Sequence, residues 1–271
     1  MSAQSSFYWP MRLVTEPERS ALFAIYAWCR HLDDIVDGPL PPDAKAAALS
    51  MWRDYFTGEQ GTVMDPDSTL VATTLGAAIA AQKLKAGLFL RLLDGLEMDL
   101  AGEMRGPSLA ELEAYAHAVA SAPGELCLNV LGWRGDDASQ FAAVLGEAVQ
   151  YTNILRDVAE DAEQDRLYVP REALDAAHID AEDPAIVLAD HRFADAWLAL
   201  ALMAEAKFAQ AETLLPGKDI RTRIKPALAM MNIYRALWRK LRKGGWQPHA
   251  GKVTLPRWQS FLIAVRTIWL T

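Results

Sequence analysis

Three features of the sequence predict an all-α fold. The strong helix formers Ala, Leu, Met, Glu and Lys are abundant among its 271 residues. Helical periodicity dominates, and few runs alternate β-branched with polar residues as a half-buried strand would. Gly/Pro clusters cut the chain into segments of helical length: GPLPPD at 38–43, RGPS at 105–108, WRGDD at 133–137, LLPGKD at 214–219 and RKGGWQPHAGK at 242–252.

These clusters order the elements. A first helix over 17–36 carries an apolar stripe of Leu22, Ile25, Cys29, Leu32 and Val36 and stops at GPLPPD. A second covers 43–57. A long helix over 68–103 follows, uninterrupted until RGPS. Helices over 108–120 and 124–132 flank Pro123, which removes a backbone donor and should break or kink the chain at Ala122. Beyond WRGDD come 138–162 and a short 171–176; 192–214 runs to LLPGKD, 219–242 to RKGG, and 254–270 closes the chain.

Composition bounds the function. At 52% hydrophobic and 23% charged, with mean hydropathy +0.02, the chain has a globular composition able to bury a large core. With no repeat or low-complexity linker, one compact helical domain over 1–271 is the simplest organisation. A net charge of −8 argues against a general nucleic-acid partner, which needs a basic face to displace counterions. The two cysteines, Cys29 and Cys127, sit in apolar helical sequence and read as reduced thiols of a cytoplasmic protein. The opening MSAQSSFYWPMRLV does not look like a secretory signal, and no run reaches the ~18–20 apolar residues of a spanning helix. The closing FLIAVRTIWLT reads either as a last core helix or as a patch dipping into a bilayer surface, a peripheral membrane contact.

Two acidic stripes stand out. In QYTNILRDVAED, Gln150, Asn153, Asp157 and Asp161 lie at i, i+3, i+7 and i+11, one narrow arc of a helix. In YAWCRHLDDIVD, Tyr26, Arg30, Asp33 and Asp37 lie at i, i+4, i+7 and i+11, while Asp34 is turned about 100° away. A D-x-x-x-D pair is often only a solvated face. Here, however, each pair continues a line of other polar residues on a helix with apolar flanks, and two such pairs invite a facing arrangement. Magnesium-bridged diphosphate fits: Mg²⁺ sits between one or two carboxylates and substrate phosphates, and the apolar helices would shelter a hydrocarbon chain. A di-iron bundle would want E-x-x-H pairs, which are not found at a suitable place. Arg166 and Tyr168 of DRLYVP read as closing over a diphosphate or as a solvent-facing loop. SSFY at 5–8 caps a helix or touches phosphate, and Tyr234 is a cavity tyrosine or merely a buried, satisfied hydroxyl.

Taken together, SSFYWPMR, AIYAWCRHLDDIVD, YAHAVASAPGELCL, QYTNILRDVAEDAEQDRLYVP and NIYRALW resemble the squalene/phytoene synthase family, in its order and spacing over nearly the whole chain. SSFYWPMR is most like the bacterial presqualene diphosphate synthase branch of hopanoid and squalene biosynthesis. The resemblance implies an isoprenoid-synthase fold around a central cavity. It implies that Asp33, Asp37, Asp157 and Asp161 hold Mg²⁺, with Mn²⁺ as a substitute, against two prenyl diphosphates, and that Gln150 and Asn153 assist. Arg30, Arg156, Arg166 and Arg257 are carried over as diphosphate contacts, Tyr26, Tyr168 and Tyr234 as cavity tyrosines, and Ser6 as the serine of the N-terminal flap.

The implied reaction is head-to-head coupling of two farnesyl diphosphates to presqualene diphosphate, with no NADPH expected. Tyr234 and the released diphosphate are both left as bases. Alternatives are a phytoene synthase, a full NADPH-dependent squalene synthase, an elongating or cyclising enzyme of the same fold, and a non-catalytic lipid-binding or assembly relative. The last should have lost aspartates that this chain keeps. ASAPGELC departs from the family, which usually has Val or Ile where Pro123 stands.

Overall fold

A computed structural model describes residues 8–12, 14–59, 64–247 and 252–270. Fourteen α-helices and one π-helical segment are found among them: α1 (Tyr8–Arg12), α2 (Glu18–Val36), α3 (Pro42–Thr57), α4 (Pro66–Gln82), α5 (Ala86–Leu100), α6 (Leu109–Ala116), the π segment (His117–Ser121), α7 (Ala122–Val130), α8 (Asp136–Glu163), α9 (Arg171–Ala176), α10 (Pro184–Ala189), α11 (Phe193–Thr213), α12 (Lys218–Arg223), α13 (Lys225–Gly244) and α14 (Arg257–Leu270). Among the described residues there is no strand, only an isolated parallel bridge between Arg105 and Leu167.

Several expected boundaries need correction. The helix expected over 68–103 is two. Lys83 adopts a left-handed conformation (φ 50°) and Lys85 an extended one, so the chain turns where no Gly or Pro announces it. The helix expected over 219–242 is broken at Ile224, and Pro226 opens the next one from its first turn, where its missing N–H is harmless. Two short helices, α1 and α10, were not expected; Asp183 caps α10 by accepting from the Ile186 N–H at 3.1 Å.

Pro123 does not interrupt the chain as expected. Helix runs through it because the preceding turn widens to π geometry, with the Ala122 N–H reaching the His117 carbonyl five residues back. This wide turn is clamped by two glycines on neighbouring helices. A Cβ at Gly95 of α5 would meet the Ala118 and Val119 side chains at 2.7 and 2.6 Å, and one at Gly146 of α8 would meet Ser121.

Burial explains how the acidic stripe of α2 is oriented. Trp28, fully buried, packs edge-on against Phe56 (5.3 Å), Phe89 (5.2 Å) and Trp52 (6.0 Å), joining α2 to α3 and α5. It lies about 200° round the helix from Tyr26, so this aromatic nest turns the Tyr26–Asp37 line inward. Behind α8, α11 is registered by Trp197, whose Nε1 donates to the Leu155 carbonyl at 3.1 Å.

Candidate active site

A cavity of about 1060 Å³ is enclosed mainly by α2, α5, α7, α8, α13 and the π segment. Most of its wall is apolar, including Leu22, Ile25, Leu128, Phe141, Leu145 and Val149. Its polar wall includes Tyr26, Arg30, Asp33, Asp37, Gln150, Asn153, Arg156, Arg166, Tyr168, Tyr234 and Arg257, all expected from the sequence. Ser6 lies outside the described residues.

On α2, the Arg30 guanidinium donates to Asp33 and Asp34, both at 3.2 Å. Asp34 is the more exposed, as its angle on the helix requires. Burial pushes the Asp33 carboxyl up to about 6; Arg30 opposes the rise, and its neighbours Asp37, Asp34 and Asp99 add to it.

On α8, the Asn153 amide donates to Gln150 at 3.4 Å, so the two carboxamides act as one polar strip. Asp157 and Asp161 follow one and two turns later on the same line. They lie half-buried beside its wall. Asp157 is claimed by cations: Arg156 Nε donates to it at 2.8 Å, its Nη2 makes a second, short contact, and Lys252 Nζ stands 2.9 Å away. Burial alone would raise the Asp157 carboxyl, but these hydrogen bonds hold it below its ordinary value. Among the described residues, none of these hydrogen-bonding cations reaches the Asp161 side chain. Burial and then the charge of Asp157 push it up to about 7, despite Arg166 nearby.

Arg166 joins the two stripes. Its Nη1 donates to Asp37 at 3.1 Å across 129 positions of sequence, and the same charge relieves Asp161. The local reason is the bridge at Leu167, where Gly106 N–H donates to the Leu167 carbonyl (2.7 Å) and Leu167 N–H to Met104 (3.0 Å). Extended chain alternates its side chains, so Leu167 is buried away from the cavity while Arg166 and Tyr168 both face it. Of the two readings of DRLYVP, the solvent-facing loop is thereby overturned.

Other polar wall residues were not picked out by the sequence, among them Asp99, Tyr115 and Lys252. Asp99 accepts hydrogen bonds from the Tyr168 hydroxyl at 2.7 Å and the Tyr115 hydroxyl at 2.8 Å, and the two rings stack at 5.2 Å. Burial raises the Asp99 carboxyl, with these hydroxyls and Arg166 opposing. A signal existed: Leu92, Leu96 and Asp99 lie at i, i+4 and i+7 along the cavity face of α5, one carboxylate on an apolar stripe. Tyr115 stood inside a quoted motif. Lys252, which also contacts Glu160 at 2.5 Å, lies in a Gly/Pro-rich stretch with no periodicity to read.

Tyr234 is buried beside Asn153 and Arg156, and burial raises its hydroxyl, which therefore stays a hydrogen-bond donor. Burial opposes the Arg156 charge, yet contacts with Asp157 and Tyr234 keep it fully protonated. Cys29 and Cys127 are free thiols in the cavity wall, both raised by burial.

The squalene/phytoene synthase family model matches residues 1–259. The chain belongs to that family. It is 39% identical over 236 residues to the presqualene diphosphate synthase of Sinorhizobium fredii, covering 86% of this chain and 82% of that one. To the presqualene diphosphate synthase of Rhodopseudomonas palustris it is 35% identical over 251 residues, covering 91% and 87%. The crystal structure of a dehydrosqualene synthase in complex with ligand superposes with a TM-score of 0.79 at 25% identity, over 97% of this chain and 90% of that one. The fold is thus the isoprenoid-synthase fold of this family, and the protein is a family enzyme of the prenyltransferase kind.

Proposed function

We propose that the enzyme couples two farnesyl diphosphates head to head into presqualene diphosphate, releasing one diphosphate and carrying out no reductive step. The observation that carries this reading is a single cavity whose wall combines a hydrogen-bonded cluster of carboxylates, arginines and tyrosines with a broad apolar lining. Its volume sits at the upper limit of small-molecule pockets, about 300–1,000 Å³, as two prenyl chains would need.

Asp33, Asp37, Asp157 and Asp161 fit Mg²⁺: they are hard oxygen donors, and Asp33 and Asp161 are half-buried carboxylates raised by burial and by neighbouring carboxylates. When bound, the ion would draw negative charge from the leaving diphosphate.

The chain's own residues do the rest. Arg30, Arg156, Arg166, Arg257 and Lys252 receive diphosphate oxygens, with Gln150 and Asn153 as neutral donors. Loss of diphosphate leaves an allylic cation, which the double bond of the second substrate attacks, and proton loss closes the cyclopropane. Tyr26, Tyr115, Tyr168 and Tyr234 line the cavity with aromatic rings and polar hydroxyls, while the apolar wall keeps water from quenching the cation. Because burial weakens the acidity of Tyr234, the released diphosphate is assigned as the base. A cytoplasmic helical unit that touches a membrane surface suits substrates with long hydrocarbon chains.

Product analysis tests this reading. Farnesyl diphosphate with Mg²⁺ should yield presqualene diphosphate, unchanged by NADPH, and should react faster than geranylgeranyl diphosphate. Asp33→Ala and Asp157→Ala should abolish turnover with helix content intact. Phytoene or squalene as product, or Mg²⁺-dependent diphosphate release by both variants, would overturn it.

A further inference from the structure

Charge is distributed very unevenly along this chain. Residues 218–271 carry twelve lysines and arginines against a single acidic residue, Asp219, although the whole chain has a net charge of −8; two of the twelve, Arg235 and Lys252, are paired with carboxylates outside the stretch, Glu212 and the Asp157/Glu160 pair. This cationic stretch forms α12, α13 and α14. The last two pack as an antiparallel hairpin: Asn232 Nδ2 donates to Thr267 Oγ1 at 2.9 Å, Lys225 Nζ to the Ile268 carbonyl at 3.0 Å, and Lys240 Nζ to the Thr254 carbonyl at 2.8 Å.

Within the hairpin, α14 turns the less apolar of its faces inward. Ser260, Ala264 and Thr267 are its buried residues, with Ala264 packed on Ala229 and Ile233. Its outer face carries Trp258 (65% exposed), Leu262 (54%) and Trp269 (73%), with Val265 half-exposed between them. At about 100° per residue these four fall within an arc of about 60°. Arg257 and Arg266 flank that arc on its two sides, and the helix has no acidic residue. A globular protein normally buries such a stripe.

We propose that the outer face of α14 docks on an anionic lipid bilayer, lying in the headgroup layer with its tryptophans inserted and the basic hairpin against lipid phosphates. Charge complementarity favours this occupant over a second copy of the chain, because pairing two copies through this stripe would press two cationic hairpins together. The helix does not cross: its 14 residues span about 21 Å, and among the described residues no helix is long and apolar enough to cross a membrane. Because Leu255, Arg257 and Ser260 also line the cavity, docking sets the cavity rim on the lipid surface. That consequence rests on the prenyl-coupling reading, whereas docking itself does not, so vesicle binding without turnover would separate the two.

Co-sedimentation of the full chain with vesicles of phosphatidylcholine alone, or containing about one-quarter phosphatidylglycerol, tests the proposal. The anionic vesicles should bind at least about tenfold more tightly, and W258S/L262S/W269S should lower that binding about tenfold or more. R239E/K243E, two exposed cations of α13, should weaken it in low salt and leave a smaller salt dependence. It serves as the second probe should the triple variant lose its fold. Equal binding to both vesicle types, or undiminished binding by folded variants, would overturn the proposal. So would a wild-type dimer that ignores vesicles and falls to monomer in the triple variant.

Discussion

Replacing Gly146 with alanine perturbs the close contact between α8 and the π segment, both of which line the cavity. A Cβ there would stand 2.3 Å from Ser121 Oγ and 2.7 Å from both the Cα and the backbone nitrogen of Ser121. Ordinary contact begins near 3.4 Å, so α8 and the π segment must separate by about 0.7 Å against backbone that cannot rotate away. Overpacking of this kind costs about 1–3 kcal/mol, offset in part by the ~0.5–1 kcal/mol that alanine gains over glycine in a helix. In a domain of this size each kcal/mol moves Tm by about 2–4 °C, so Gly146→Ala should melt up to about 10 °C lower. Turnover should fall as well, since Gln150 and Asn153 ride on the same helix one and two turns on. Gly124→Ala, in the same wall, is the control: its Cβ would meet nothing within 4 Å, and its Tm should hold or rise. Thermal unfolding followed by circular dichroism, with product formation in parallel, reads both. The reasoning is refuted if Gly146→Ala melts with the wild type, or if Gly124→Ala falls as far.

Two further predictions concern the carboxylates. The folded-state value for Asp161, about 7, lies above the ordinary carboxylate value of about 3.9, so its contribution to stability is complete at low pH and is lost as pH rises through 7. The metal-free enzyme should therefore melt higher at about pH 5 than at about pH 8 through this group, and Asp161→Asn should be the more stable protein at about pH 8 while gaining less from added Mg²⁺; superimposable melting curves would contradict the assignment. Asp99→Asn keeps the shape but replaces the charged acceptor of the Tyr115 and Tyr168 hydroxyls, so turnover should fall about tenfold or more with little change in Tm, and unchanged kcat would remove Asp99 from the reactive end of the cavity.

What could be read without coordinates was what lies within one turn or one helix. The Tyr26–Asp37 and Gln150–Asp161 lines follow from 3.6-residue periodicity, because side chains at i, i+4 and i+7 share a face whatever the rest of the chain does. Helix boundaries were legible where Gly or Pro imposes them and illegible at Lys83, where an ordinary residue takes a left-handed turn. Pro123 shows the limit of a local rule. It does remove a hydrogen bond, but the wide π turn before it, clamped by Gly95 and Gly146, keeps the chain helical.

The sequence by itself therefore determined an all-α chain of this family with two acidic helical lines, since propensity, periodicity and motif order are properties of neighbouring residues. Only the tertiary structure decided which groups meet across the cavity: Arg166 on Asp37, Lys252 on Asp157, and two tyrosines on Asp99. It also decided that α14 faces outward with its tryptophans. Such pairings depend on distances between segments up to 129 positions apart, set by aromatic and glycine contacts at helix crossings, and no local periodicity encodes them.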